Sequence, residues 1–485
     1  MIAAPPSLDE RMARGQEARE ATPRSSHSTW QPPADRADPV SLLEEQNQTR
    51  EPDLVPVRHR RMMVSPFAFY RGTARIMAED LKCTPTAGLI VQLCGDAHLS
   101  NFGVFASPER QLLFDLNDFD ETLPGPFEYD VKRLAASLAI AARNNGFSDA
   151  KGRAAALQSV GSYRQAMAGF AQMNTMDVWY SRLDDNQILA AVRAAQAAEK
   201  NKAAKGKSKK ARRKAADAKT AEKKLLRGRE KVRTRTSLQA LSKLAEVYNG
   251  SYRIVSAPPI VVPQRDWTTA DGFDPEAISN AIDDHLSAYR ASLRPDRRQL
   301  LDRFRMVDVA RKVVGVGSVG TGAYIVLLQG RDAGDPLFLQ VKEATYSVLE
   351  AHLRRSRYRQ HGQRVVGGQR LMQSASDIYL GWSKAPETGS QFYWRQLRDM
   401  KGSVEVDSFT PAEMGGYAQA CGWTLARAHA RSGDPVAIAT YLGTGDGFDQ
   451  AVVKFATRYA DQTERDYEEF LAAIRSGRLK AVEGV

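Results

Sequence analysis

Cysteine, long apolar runs and aromatics beside the densest charge are what this sequence has least of. Three cysteines in 485 residues, Cys83, Cys94 and Cys421, supply neither a disulfide framework nor zinc-type pairing, and they point to a reducing cytoplasm. No stretch approaches the ~20 apolar residues that cross a bilayer. The opening MIAAPPSLDERMARG has no apolar core of a secretory signal. The expectation is a cytoplasmic chain without a transmembrane segment. Charge of one sign is also missing from most of the chain. Residues 193–235 hold eighteen Lys/Arg against four Asp/Glu, more than the whole net charge of +12, so the remainder is slightly acidic. That basic run has almost no aromatics on which bases would stack. Dense positive charge still attracts phosphate, so a weak anionic partner is the functional expectation there, with a solvated helical insertion the plainer one.

The chain divides by composition. Residues 1–57, rich in Pro, Ser, Arg and acids without apolar period, are expected to be disordered. Residues 58–190 begin with the aromatic cluster MMVSPFAFYRG and a helix over Thr73–Leu81. Strands are then expected over Leu89–Leu93 and Gln111–Leu116, and a helix opening at Asp130. Residues 191–235 are the basic helical insertion and 236–303 a helical connector with a Pro-rich loop over 256–275. Residues 304–402 read as a small antiparallel sheet with a helix over Ser347–Tyr358, and 403–485 as helical.

Two glycine and lysine motifs lie in the later part. Gly315, Gly317 and Gly320 spell GxGxxG, but the strand-like YIVLLQ follows, and no acid stands where a dinucleotide site needs one. A glycine hairpin between strands lets backbone amides approach phosphate oxygens. Lys342, ending the apolar run LFLQVKEA, suits a phosphate-gripping ammonium. It needs a carboxylate partner in an apolar wall, for which Glu350 on the next helix is expected.

Two acidic motifs lie in the earlier part. Asp96 and Asn101 stand five positions apart in CGDAHLSNF, the spacing at which an aspartate faces an attacking hydroxyl while an asparagine oxygen turns back onto Mg²⁺. His98 between them is placed to hold the loop. Asp115, Asp118, Asp120 and Glu121 pack four carboxylates into seven residues, which repel unless a cation neutralises them. Asp118, followed by Phe119, is the first metal ligand expected and Asp115 the runner-up.

These motifs carry a resemblance. SPFAFYRG, VQLCGDAHLSNFG, FDLNDFDETLPGP, DVKRLAAS, GVGSVGT, LQVKEA and ARAHARSGD resemble the bacterial domain-of-unknown-function 2252 family over roughly residues 50–475. The catalytic-loop motif is also similar to the His-Gly-Asp-x-His-x-x-Asn of aminoglycoside and choline kinase-type phosphotransferases, with Cys94 in place of the first histidine. Asp118-Phe119 resembles their metal-binding pair, and Asp130 their helix-start aspartate, which anchors the catalytic loop. The resemblance implies an α+β, protein-kinase-like two-lobed fold with extra helices and a circularly permuted motif order, since the metal-side motifs precede the glycine turn and lysine. It implies ATP and Mg²⁺ as cofactors and an unidentified phosphate acceptor. Phosphoryl and nucleotidyl transfer both stay open. So do a nucleotide-binding regulatory pseudo-enzyme and an anionic-surface or nucleic-acid binder.

Overall fold

The computed structural model describes residues 5–190, 193–194, 197, 222–223, 226–235, 237–248, 251–267, 275–313, 315–385, 389–397 and 400–482. The fold is mixed α+β with small sheets. No helix among these residues is long and apolar enough to cross a membrane.

The largest sheet is antiparallel, with order β11-β12-β10-β9-β8-β7. Its strands are Val261–Pro263 (β7), Arg305–Lys312 (β8), Ala323–Gln329 (β9), Pro336–Glu343 (β10), Gly381–Lys384 (β11) and Gln391–Gln396 (β12). Side chains alternate across a strand, and here the two faces meet different partners. Leu337, Leu339 and Val341 of β10 join Tyr289 and Leu293 on and just after the helix Pro275–Ser292. Phe338 joins Ala240 and Leu241 of the helix Ser237–Leu244 on the other face. Period two then carries Gln340 and Lys342 onto the Phe338 face. In register opposite them stand Arg395 and Tyr393 of β12.

The helical body is built on Glu128–Asn144, Asp149–Phe170, Pro411–Ser432 and Gly447–Arg475. Their apolar faces form one large core with two small sheets, β1–β4 and β13-β2-β3. The strands of these sheets are Ile90–Leu93 (β1), Phe102–Ala106 (β2), Leu112–Leu116 (β3), Leu123–Pro126 (β4) and Gly402–Ser403 (β13). The helices Asp149–Phe170 and Pro411–Ser432 touch backbone to backbone, and a Cβ at Gly422 would lie 2.1 Å from the Ser159 carbonyl oxygen.

The structure corrects three expectations. Residues 1–57 are not a disordered arm, because Leu8–Ala21, Pro39–Asn47 and Val55–Met62 are helices. Capping holds the ends, through a capping box at Ser7 and the Asp38 carboxylate on Val40 and Ser41. Arg36 grips both Asp80 and Asp466, and Trp30 packs against Phe455 and Tyr459. Few apolar anchors and many ion pairs order this segment, so its composition looks like that of a disordered one. The connector also differs, since β5 (Ala245–Tyr248), β6 (Ser251–Ile254) and β7 interrupt it. The third correction is the helix at Ser347–Tyr358. Only a short 3₁₀ turn, Val348–Ala351, forms there, and the helix comes later, at His361–Met372. Arg354, Arg355, Arg357 and Arg359 crowd like charges at helical spacing. The glycines that hid the later helix are contact points, and a Cβ at Gly368 would meet Thr122 Oγ1 at 2.4 Å. Of the basic insertion, residues 198–221 lie outside the described residues. Its end, 226–233, is helical and buries Val232 beside Ala106 and Met400.

The helix contact at Gly422 generates a test. Gly422→Ala overpacks against rigid backbone and is expected to cost roughly 1–3 kcal/mol. The measurement is the urea midpoint, which falls at an unchanged denaturant slope; an unchanged midpoint would mean the helices separate without cost.

Candidate active site

The loop after β1 starts with a tight turn. Gly95 has φ +88°, and a Cβ there would lie 2.2 Å from the Glu121 carbonyl oxygen, so only glycine fits. The amides of Cys94 and Gly95 donate to the two oxygens of Asp130 at 2.6 and 3.0 Å. His429 Nε2 lies 3.3 Å from the same carboxylate, and the Tyr163 hydroxyl 2.9 Å from His429 Nδ1. The helix carrying ARAHARSG thus abuts this loop, and Ser432 Oγ accepts from the Gln92 amide at 3.1 Å.

Beyond the turn, Arg133 Nε and Nη2 each reach Asp96 Oδ1 at 2.8 Å. Asn101 Nδ2 donates to the Asp96 carbonyl at 2.6 Å, which aims the amide oxygen away from its own loop. His98 Nε2 stands 3.6 Å from Asp96 Oδ2, and its Nδ1 is buried without a partner. Burial depresses the His98 pKa to about 3, with Arg71 and Arg133 adding to the effect against Asp96. The ring is therefore neutral near neutrality. Among the described residues the expected hydrogen bonds from this ring to the loop do not form, since neither nitrogen is within hydrogen-bond distance of a partner.

The acidic cluster splits in two. Asp115 is completely buried in β3, ion-paired with Arg427 and accepting from the Ser374 amide and hydroxyl at 2.9 and 2.8 Å. The runner-up ligand is thus a structural anchor that does not line the cleft, because Arg427 and Ser374 take up its carboxylate. Asp118 and Asp120, about a third exposed, face Lys342, whose Nζ lies 3.6 Å from Asp118 Oδ2 and 2.5 Å from Asp120 Oδ2. The Tyr393 hydroxyl donates to Asp120 Oδ1 at 2.6 Å, and the Ser318 hydroxyl of the glycine turn to Asp120 Oδ2 at 3.3 Å. Asp118 Oδ1 is buried with no hydrogen-bond donor. Its burial works against ionisation, but Lys342, Arg395 and Lys401 outweigh it and hold the carboxyl below its usual pKa. Burial likewise opposes the Lys342 charge, yet Asp118, Asp120 and Tyr393 raise its pKa. Glu121, desolvated and facing Asp120, is pushed up to about 7.

Glu350 is not the partner of Lys342; its nearest cation is Arg364 Nε at 3.9 Å. The 3₁₀ turn that replaces the expected helix leaves Asp120 to fill that role. Arg364 donates to the carbonyls of Asp120, Thr122 and Thr345, pinning the acidic loop to the chain leaving β10. Arg395 bridges Gln340 and the Asn117 carbonyl. Sequence reasoning missed Tyr393, Arg395, Arg364 and the pairing role of Asp120. The alternation of Tyr393 and Arg395 in QFYWRQ was the readable signal for two of them.

Gly315, Gly317 and Gly320 lie in the β8–β9 connection. The turn is fastened from outside, as Arg61 donates to the Gly315 carbonyl, the Glu51 amide to Gly320 and Arg50 to Val319. Gly315, Gly317, Asp96, His98, Asn101, Asp118, Asp120 and Glu350 line one cleft of about 570 Å³, within the range of small-molecule sites, while Gly320 and Lys342 stand behind its lining. Among the described residues no group of three or more His, Cys, Asp or Glu side chains is arranged to hold a metal ion.

A family model described as "Uncharacterized protein conserved in bacteria" (DUF2252) matches residues 50–229 and 211–473. No curated protein and no solved structure matches the chain.

Two outcomes are expected. Asp115→Ala strands the Arg427 guanidinium in the core and costs about 3–5 kcal/mol in chemical denaturation, whereas Asp118→Ala leaves the midpoint near that of the wild type. For His98, ring resonances should not titrate between about pH 8 and 5. Its folded pKa lies below the unfolded 6.5. The unfolded chain therefore takes up the proton first, and this contribution to stability is lost as pH falls below about 6.5. A ring titrating near pH 6.5 would contradict the burial.

Proposed function

We propose that this chain, which belongs to the bacterial DUF2252 family, is a Mg²⁺-dependent ATP-binding phosphotransferase with a permuted kinase-like arrangement. The observation that carries the reading is the meeting at Asp120. Lys342 from β10, Tyr393 from β12 and Ser318 from the glycine turn converge there on a loop more than 190 residues earlier in the chain. A phosphate-gripping lysine and a metal-holding aspartate serve one triphosphate only when they share a cleft.

In this reading Lys342 neutralises phosphate oxygens and the glycine turn covers them. Asp118 and the Asn101 oxygen hold Mg²⁺, for which the partnerless Asp118 Oδ1 is suited. The ion, when bound, screens the phosphates and polarises the transferred group. Asp96 orients the acceptor hydroxyl. Most of the rate then comes from positioning and fixed charge, not from covalent chemistry by the protein. Asp130, through the Cys94 and Gly95 amides, positions the loop and touches no substrate. The metal-side motifs come first in sequence because continuity of the cleft depends on spatial neighbours alone.

One feature favours a second reading, a nucleotide-binding regulator. Arg133 holds Asp96 from two nitrogens, which ties that carboxylate to a structural cation instead of leaving it free for an acceptor hydroxyl.

The test is calorimetric titration with ATP and Mg²⁺, followed by turnover. Asp118→Asn is expected to weaken Mg²⁺-dependent ATP binding by at least ~10-fold, about 1.4 kcal/mol, in a protein that stays folded. Unchanged Mg²⁺ dependence in folded Asp118→Asn would sink the assignment. Binding without turnover over a broad acceptor screen would select the regulator.

A further inference from the structure

The cleft lining also carries a cation with no carboxylate against it, beside the glycine turn, where the Arg71 carbonyl would lie 3.1 Å from a Cβ at Gly317. Arg71 ends the helix Pro66–Arg71 and lines the cleft together with Asp96 and His98. Among the described residues its side chain has no hydrogen-bond or ion-pair partner, and its Nε is buried without an acceptor. Burial lowers its pKa, against the pull of Asp96 and Asp407. A guanidinium stays charged at neutral pH, and this one is partly buried, with its Nε out of reach of any acceptor. Asp96 does not pair it, being taken by Arg133. The neighbouring Arg75 is only loosely paired, at 3.8 and 4.0 Å from Glu45 and Glu79, and Arg355 on the rim is exposed.

We propose that Arg71 seats an anionic group of the acceptor, a hydroxyl compound carrying its own phosphate or carboxylate. The anion would sit beside Asp96 and outside the Lys342–Asp118–Asp120 network. This rests on the phosphotransferase reading for the hydroxyl, but the anion seat itself does not need the nucleotide. Bound there, the anion pairs the guanidinium and places the hydroxyl against Asp96. A neutral acceptor would leave the Arg71 charge uncompensated, so the pocket discriminates by leaving a buried polar group unpaired.

The test uses inorganic phosphate and acetate as probes, titrated into protein saturated with Mg²⁺ and a non-hydrolysable ATP analogue. With the triphosphate site filled, phosphate is expected to bind wild type. Arg71→Met should weaken it at least ~10-fold, Arg71→Lys less, and analogue affinity should move less than ~3-fold in both. Competition by acetate would extend the class to carboxylates, and its failure would restrict it to phosphates. Absence of phosphate binding to loaded wild type overturns the proposal. So does equal binding by folded Arg71→Met, or a loss of analogue affinity as large as the loss of phosphate, which would move Arg71 to the triphosphate. If the analogue fails to bind wild type, the nucleotide reading falls. The same Arg71-dependent phosphate titration on free protein then decides the seat alone.

Discussion

A single ammonium organises the cleft. Lys342 is 3% exposed on the central strand of the six-stranded sheet, and such a charge is tolerable only with carboxylates against it. Asp118 and Asp120 supply them, from a loop that belongs to a different part of the chain and a different core. The pairing therefore forces the sheet and the helical body into one arrangement. Other buried cations reinforce it: Arg364 holds the loop's backbone carbonyls and Arg395 the Asn117 carbonyl. Removing either carboxylate leaves the other in place, whereas removing the lysine leaves two negative charges facing each other. The asymmetry makes the ammonium the group on which the rest depends.

The packing that serves this pair is ordinary. β10 is buried on both faces by helices from either side, and only its last even-numbered positions, Gln340 and Lys342, emerge from that cover toward the acidic loop. Tyr393 and Arg395 lie opposite them by register. The polar group behind Asp118 and Asp120 is thus a continuation of an apolar strand pair, and it inherits the rigidity of that pair. The side formed by the loop after β1 is held differently, by the backbone amides of Cys94 and Gly95 on Asp130.

Much of this was legible where chemistry forces a short motif. The five-residue spacing of Asp96 and Asn101 and the apolar run into Lys342 each announce themselves because few residue types meet the local demand. Strand pairs such as Leu112–Leu116 and Gln391–Gln396 were legible from apolar and aromatic runs. What sequence could not rank was which carboxylate of FDLNDFDE faces which cation. That depends on Arg427 reaching Asp115 and on β10 reaching Asp120, both contacts across more than 200 residues. The choice of Glu350 failed for a related reason. It assumed a helix that like charges disfavour, while the real helix carries glycines that only tertiary contact explains. The N-terminal segment was misread because ion pairs and caps order it without an apolar period.

The belt of contacts from that segment has a consequence for how the protein can be cut. Arg50 and the Glu51 amide hold the carbonyls of Val319 and Gly320, and Arg50 follows closely on the helix Pro39–Asn47. The family match begins at residue 50, so a version trimmed to that boundary keeps the arginine and discards the helix before it. The glycine turn would keep the residues that fasten it, Arg50, Glu51 and Arg61, and lose only the helix that precedes them. Domain limits drawn from sequence similarity and limits drawn from mechanical support do not coincide in this molecule.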